Sequence, residues 1–254
     1  MNDAKTLFQP LAQAPAYKRL CHAIEAEIMG GRLQPGELLP TESALAEAFA
    51  LNRSTVREGI RLLEQSGLVE RSSGRRLTVA RPSTEDLGAR FSQALVLHAV
   101  TFQELWQTVA ALEPAAAAYA AEARQPEDIQ ALTENLAASR EAAGQGEAAR
   151  LAELDVAFHA AVAKAAHNRA LLLAREAVGG LFYPAFALVV TRLDTAADRL
   201  LTAHQAVADA IVAGDAAEAR RWMDRHIADF HRGFCRVGLD PHAPITALTE
   251  EADA

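Results

Sequence analysis

The sequence predicts a mainly α chain in two parts, a small N-terminal domain of helices closed by one hairpin and a larger domain of helices alone. Three observations carry that reading. Half of the 254 residues are hydrophobic but only 6% are aromatic. Alanine-rich runs such as AALEPAAAAYAAEA favour helix, because alanine loses least on entering one. Apolar residues recur at helical spacings in most segments, and only LVERSSGRRLTVA reads as two short strands, around SSG. Charge is also unevenly divided: residues 1–82 hold 11 Lys+Arg against 9 Asp+Glu, whereas the rest hold 14 against 24. A chain of net charge −8 thus has a basic end and an acidic body. The length suits two domains of ordinary size, each with its own core.

Composition also sets limits. No apolar run reaches the roughly eighteen residues that would span a bilayer, so no membrane partner is expected. The start, MNDAKTLFQP, lacks the charged and apolar regions of a secretory signal. Two cysteines, Cys21 and Cys235, make no disulfide framework and fit a reducing cytoplasm, the expected location.

Helical periodicity runs from Ala16 to about Gly30, with Leu20, Ile24 and Ile28 four residues apart. Pro35-Gly36 signals a turn, and Pro40 precedes a helix that Thr41 can cap, with Leu45, Ala48 and Phe49 on its apolar face. After a short break, Asn52 or Ser54 caps a third helix whose inner side is Val56, Ile60 and Leu63. That leaves Arg53, Arg57 and Arg61, at i, i+4 and i+8, as one outward stripe. A hairpin follows, with a basic tip at Gly74-Arg75-Arg76. Three helices and a hairpin, the third helix basic, form the winged helix-turn-helix pattern. A lone basic helix more often just solvates an exposed face, here by pairing with Glu58 or Glu64. The helix-turn-helix position and the basic tip make DNA binding the better reading.

The stretch GRLQPGELLPTESALAEAFALNRSTVREGIRLLEQSGLVERSSGRRLTV resembles the DNA-binding domain of the GntR family of bacterial repressors. Pro35-Gly36, Leu39-Pro40, Glu42, Leu45-Ala46, Arg53, Val56-Arg57-Glu58, Leu62 and Gly67-Leu68 carry the resemblance, which covers nearly the whole domain. It implies that Arg53 and Arg57 enter the major groove, where an arginine bridges the two acceptors of a guanine edge or clamps a phosphate. Asn52, Ser54 and Thr55 would contact phosphates or bases nearby. Gly74 and Arg75 would bring the wing tip to the minor groove. Some relatives carry an arginine directly after the second helix's glutamate; here Ser43 stands there, so the operator cannot be copied from a relative.

Residues 80–90, ARPSTEDLGAR, are polar and hold a proline and a glycine, the marks of a boundary. The expected division is a winged helix-turn-helix domain over 1–80, a linker over 81–90, a helical domain over 91–238 and a tail over 239–254. In the helical domain, Thr101-Phe-Gln-Glu104 is a capping-box pattern opening a helix toward Glu122. Pro126 suits the first turn of the next. Further helices are expected at about 147–166, at 168–193 with interruptions at Gly179-Gly180 and Pro184, at 195–213 and at 215–236. The whole is an all-α bundle of six or seven helices joined to the winged helix-turn-helix.

Polar residues break three apolar stripes of that bundle. Leu151, Asp155, Phe158 and Val162 follow the buried-face template, as do Leu200, His204, Val207, Ile211 and Ala219, Met223, His226, Phe230. His159 lies one turn beyond Asp155. Polar groups placed in apolar stripes need partners. Gly214-Asp215 turns the chain between the last two helices, so His204, ten residues before it, and His226, eleven after it, stand at nearly the same height in an antiparallel pair. An acid and three imidazoles converging would suit a divalent transition metal. The alternative is a set of separate histidines, each satisfied by its own hydrogen bonds. His231 lies well round the helix from His226, and His22, His98, His167 and His242 read as structural or exposed.

The second half also resembles the ligand-binding domain (FCD) of the FadR subgroup of GntR regulators. LDVAFHAAVAKAAHNRALL is similar to its Asp-x-x-x-His helix, and AHQAVADAIVAGDAAEARRWMDRHI to its final helix pair. The match runs from Glu104 to about Phe234. In the subgroup's metal-binding branch, the residues matching Asp155, His159, His204 and His226 hold the metal, here zinc or nickel, with manganese as a third option. Members that bind long acyl chains lack this set, which turns the expected effector toward a small organic acid. A companion pattern, Glu-x-x-x-x-Arg-x-x-Leu-Glu, is matched by ELWQTVAALE at Glu104, Leu112 and Glu113, but Val109 replaces the arginine. Arg175 or Arg192 could stand in for it, giving Glu104, Glu113, Arg175 and Arg192 as effector-binding candidates.

The resemblance therefore implies an effector-controlled repressor, a homodimer on a two-fold DNA operator, rather than an enzyme. Its half-sites would lie about 34–36 Å, or a multiple, apart. A rival reading is a metal-dependent hydrolase or lyase with an appended DNA-binding module, since three histidines and a carboxylate can activate water. No general base is evident for it. A third reading, a helical body that only dimerises, predicts that chelation leaves operator affinity untouched.

Overall fold

The computed structural model describes residues 14–71 and 76–252, in two compact units that meet in sequence at Ser83 and Thr84. The first unit holds α1 (Ala16–Met29), α2 (Glu42–Ala48), α3 (Arg53–Gln65), β1 (Val69–Arg71) and β2 (Leu77–Val79). Thr41 caps α2 through its hydroxyl, which accepts from the Ala44 amide at 3.2 Å. Asn52, rather than Ser54, caps α3: its Oδ1 accepts from the Thr55 amide at 2.8 Å and from the Ser54 hydroxyl at 2.7 Å. Such a cap is worth about 1 kcal/mol. Between the two helices Ala50 has φ +50°, which closes the turn at some steric cost.

Val56, Ile60 and Leu63 of α3 are fully buried against Leu20, Cys21, Ile24 and Leu45, and burying each stabilises by about 1.5–3 kcal/mol. Gly59 lets α1 come close. A Cβ there would lie 2.9 Å from Leu20 Cδ2 and 3.2 Å from the Tyr17 carbonyl. Strands β1 and β2 are antiparallel, with Val69 opposite Val79 and Arg71 opposite Leu77. The turn after α1 adds a short third partner that sequence reading does not find. Leu38 bridges to Thr78, and the Leu39 amide donates to the Leu77 carbonyl at 2.8 Å.

The second unit comprises α4 (Thr84–Leu97), α5 (Phe102–Ala123), α6 (Pro126–Gln145), α7 (Ala148–Ala165), α8 (Arg169–Gly179), α9 (Tyr183–Arg192), α10 (Ala196–Ala213), α11 (Ala216–Arg236) and α12 (Thr246–Ala252). The mainly α reading holds, with nine helices in the described residues of this unit where the pattern gives six or seven. The extra ones have clear causes. Most of the expected linker is helix α4: Gly88, read as a loop signal, is instead a close-approach residue, its missing Cβ leaving 3.2 Å to the Glu176 carbonyl of α8. The expected tail contains α12, whose start packs inward through Ile245 and Leu248. A 3₁₀ turn at Gly180–Phe182 divides the helix over 168–193 at the interruption expected near Gly179-Gly180.

The stretch Arg169–Arg192 is long and apolar enough by composition to cross a membrane, the only such stretch in the described residues. Val178, Phe182, Ala185, Phe186, Leu188 and Val189 within it are buried in the bundle, so its apolar character serves the core. Elsewhere the core centres on Phe102, which stacks on Phe234 with ring centroids 3.6 Å apart. The capping box at Thr101 and Glu104 forms, and Pro126 occupies the first turn of α6.

Candidate metal centre

Helix α7 places Asp155 and His159 one turn apart on its buried face, because Leu151, Phe158 and Val162 around them drive that face inward. Helices α10 and α11 pack as an antiparallel pair about Gly214, whose φ of +77° closes the turn, and bring His204 and His226 to the same level. Four donor atoms converge, all within 4.8 Å of one another. His226 Nε2 lies 3.2 Å from His159 Nε2 and 3.2 Å from His204 Nε2. Asp155 Oδ1 stands 3.4 Å from His204 Nε2, 3.8 Å from His159 Nε2 and 4.0 Å from His226 Nε2. All four residues are buried.

These groups do not satisfy one another. Asp155 Oδ1 is buried without a hydrogen-bond partner among the described residues, a costly condition. Three Nε2 atoms facing one point cannot all be paired by the few protons they carry. A single cation at that point resolves both problems. Donors bound to one ion at about 2.0–2.2 Å stand roughly 3–3.5 Å from each other. Three of the separations, at 3.2–3.4 Å, already match that spacing, so the residues present fit a divalent metal that draws the longer ones, at 3.8 and 4.0 Å, inward.

A second layer surrounds them. His159 Nδ1 is 3.0 Å from Glu113 Oε2, and Arg175 Nε donates to Glu113 Oε1 at 3.0 Å. Arg175 also reaches the Val156 carbonyl at 3.4 Å. A carboxylate on the far nitrogen of a ligating histidine fixes the ring's orientation and tautomer. Phe158 stacks on His204 at 3.8 Å between centroids. Gly179 makes room for the arginine: a Cβ there would sit 2.6 Å from Arg175 Cζ and Nη1.

Electrostatics follow from burial and neighbours. Burial pushes the Glu113 carboxyl up, but the adjacent His159 and Arg175 outweigh it and hold it at about 2. Burial raises Asp155, only partly offset by the nearby histidines and Arg175. Burial lowers His159, yet Glu113 and Asp155 outweigh that and raise it. His204 and His226 are pushed well down, first by burial and then by neighbouring imidazoles, so both keep the neutral form that ligates metal.

Beside the cluster is a cavity of about 30 Å³, room for one or two waters, lined by Val109, Glu113, Arg175, Phe182, Phe186 and Phe230 among others. Of the effector-binding candidates, Glu113 and Arg175 reach it. Glu104 does not: its carboxylate accepts from the Thr101 amide at 2.9 Å in the capping box of α5. Arg192 is also elsewhere, 3.7 Å from Glu251, because it falls on the outer end of α9. The pairing of Glu113 with Arg175, 62 residues apart, left no signal in local spacing.

On the first unit, Arg53, Arg57 and Arg61 are exposed. Arg57 Nε donates to Glu42 Oε2 at 2.8 Å. Arg71, missed from sequence, bonds Glu42 at 3.0 Å and pairs with Glu64 at 2.8 Å. These residues and Ser43 line one surface cleft. Hydrogen bonding by Arg57 is the main force holding Glu42 below the usual carboxylate range. Asn52, Ser54 and Thr55 sit at the start of α3, and Gly74 and Arg75 lie outside the described residues.

Known proteins match both halves. Residues 16–79 match the gntR family of bacterial regulatory proteins and residues 104–229 match the FCD domain. The chain is 33% identical over 235 residues to the uncharacterized HTH-type transcriptional regulator Rv0494 of Mycobacterium tuberculosis, across 89% of this chain and 92% of that one. It is 29% identical over 206 residues to the HTH-type transcriptional regulator LutR of Bacillus subtilis, across 80% and 93% of the two chains. Among solved structures, Streptococcus agalactiae GntR shares the fold with a TM-score of 0.62 at 22% identity, covering 85% of this chain and 99% of that one.

Proposed function

The chain belongs to the GntR family of bacterial regulatory proteins and carries an FCD effector-binding domain, and from that premise we propose that it is a metal-dependent, effector-controlled repressor. Membership makes it a DNA-binding transcription regulator and not an enzyme, which sets the hydrolase or lyase reading aside. The metal rests above all on one observation: three imidazole Nε2 atoms converge with a buried carboxylate oxygen that has no hydrogen-bond partner among the described residues.

In this reading Asp155, His159, His204 and His226 hold one divalent ion, zinc or nickel before manganese, as the donor set suits. When bound, the ion supplies positions that accept a carboxylate oxygen of a small organic acid. Arg175 supplies the charge that Val109 does not: both line the cavity, and its terminal nitrogens, held only by a 3.4 Å bond to the Val156 carbonyl and a 3.8 Å pairing with Glu176, would turn from these to bind the acid. A cavity of about 30 Å³ admits such an acid only if its walls move. That requirement ties effector binding to a change of shape, which linkage turns into a change of operator affinity.

At the other end, α3 enters the major groove, and the repressor acts as a homodimer on a two-fold operator in the cytoplasm. Arg53 and Arg57 face the bases. Asn52, Ser54 and Thr55 contact phosphates or bases nearby, and Gly74 and Arg75 complete the proposed DNA-contacting set. Arg57 comes to DNA already oriented by Glu42, which occupies Nε and leaves the terminal nitrogens for a guanine edge.

The test is metal content of untagged protein purified without added metal, beside an Asp155→Ala, His204→Ala double variant. We expect about one equivalent per chain in the wild type and none in the variant, with operator affinity of the wild type changed by chelation. A wild type that stays empty after exposure to zinc, nickel and manganese sinks the metal reading. An operator affinity indifferent to chelation leaves the helical domain as a dimerisation body alone.

A further inference from the structure

On α11, Trp222, Arg225, Asp229 and Arg232 fall three, four and three residues apart and so share one face. With Arg199 of α10 they line an open groove of about 490 Å³ between the two helices, and His226 forms part of its wall. Asp229 is taken up by two of the arginines: it accepts from Arg232 at 2.9 Å and pairs with Arg199. Arg225 is different. Its guanidinium stands over the Trp222 ring, 5.4 Å from the centroid, with no carboxylate partner among the described residues. Asp198 also lines the groove, so its three arginines face two carboxylates and leave an excess of one positive charge, in a domain that is acidic overall.

His226 brings an imidazole to the wall of the groove. The residue is 7% exposed, and its Nε2 is turned to His159 and His204 at 3.2 Å each. The other ring nitrogen, Nδ1, makes no hydrogen bond among the described residues, whereas Nδ1 of His159 has Glu113. A histidine whose Nε2 faces a metal carries its proton on Nδ1 and is ordinarily held there by an acceptor. Among the described residues neither His226 Nδ1 nor the buried Nδ1 of His204 has one.

We propose that this groove is a second binding site, for a small oxyanion such as a phosphate or a carboxylate, held by Arg225 and Arg232 and accepting a hydrogen bond from His226 Nδ1. Its link to the centre rests on the metal reading above; the arginine groove itself does not. An anion there completes the outer layer of His226 as Glu113 does for His159. Such acceptors typically alter metal affinity 10–100-fold, so the two ligands should bind cooperatively.

The test uses the full chain, with inorganic phosphate and acetate titrated separately by calorimetry and metal content measured on each sample. The better ligand identifies the anion class. We expect Arg225→Gln, Arg232→Gln to weaken that binding at least about tenfold while metal content stays at the wild-type level, since two charge-assisted bonds are lost on exposed side chains. Failure of both anions to bind the wild type, or equal binding by the double variant, overturns the site. Equal anion affinity in metal-loaded and chelated protein overturns the coupling through His226. A wild type that takes up no metal defeats the metal reading on its own, and the arginine variant still decides whether the groove binds anions.

Discussion

Gly179→Ala offers a sharp test of how the buried layer is built. The new Cβ would stand 2.6 Å from Arg175 Cζ and Nη1 and 3.0 Å from Nη2. Ordinary contact begins near 3.4 Å, so the guanidinium has to retreat. It is 4% exposed and bonded to a Glu113 carboxylate that is 2% exposed, which leaves no retreat that keeps the pair intact. Breaking a buried charge pair costs about 3–5 kcal/mol. Replacing glycine by alanine in a helix returns at most about 1 kcal/mol. The net expectation is a loss of about 2–4 kcal/mol, or roughly 5–15 °C in the melting temperature of a domain of this size. Thermal and urea unfolding monitored on the helical domain supply the number. The control is the same change in an Arg175→Met background, where the obstacle is gone and the alanine should be neutral or mildly stabilising. An equal loss in both backgrounds would refute the account, because the cost would then lie in the helix and not in the arginine.

Other outcomes follow from the same geometry. Gly59→Val should destabilise the DNA-binding domain by about 1–3 kcal/mol through overpacking against Leu20 and Tyr17, seen as an earlier unfolding of that domain while the bundle's transition stays in place. Arg57→Ala should weaken operator binding by about 1–3 kcal/mol, with a loss that varies between operator sequences in competition assays. In metal-stripped protein, Glu113 is held at about 2 against an ordinary 4.5, so its contribution is complete above about 4.5 and lost as the pH falls toward about 2. Acid titrations of stability should show that slope, and Glu113→Gln should lack it.

Much of this was legible in the chain because helices announce themselves by period. The inner side of α3 follows Val56, Ile60 and Leu63, and the outward arginines follow by subtraction. Asp155, His204 and His226 were visible because each interrupts an apolar stripe, His159 because it lies one turn beyond Asp155, and the Gly214-Asp215 turn sets the relative height of two of them. What stayed hidden was tertiary. A glycine marks a turn in one setting and a close contact in another, and nothing local tells Gly88, Gly59 and Gly179 apart from a loop glycine. Glu113 and Arg175 meet only because α5 and α8 pack on α7, so spacing offered Glu104 and Arg192 as equal candidates when one is a helix cap and the other lies on an outer end. The pairing of Leu38 with Thr78 likewise depends on how the turn after α1 folds back, which no period records.

The cap on α3 bears on how the protein meets DNA. With Asn52 Oδ1 already accepting from Ser54 and Thr55, the first turn of that helix is closed before any phosphate arrives. Segments that order only on contact bury new apolar surface and leave a large negative heat-capacity change on association. Here there is little left to order. Association should show a small heat-capacity change from α3 itself and a steep dependence on salt, about 0.9 in log–log slope for every phosphate neutralised. Docking a preformed helix also removes a folding step from the encounter, which leaves diffusion and the field of the arginine stripe to set its rate.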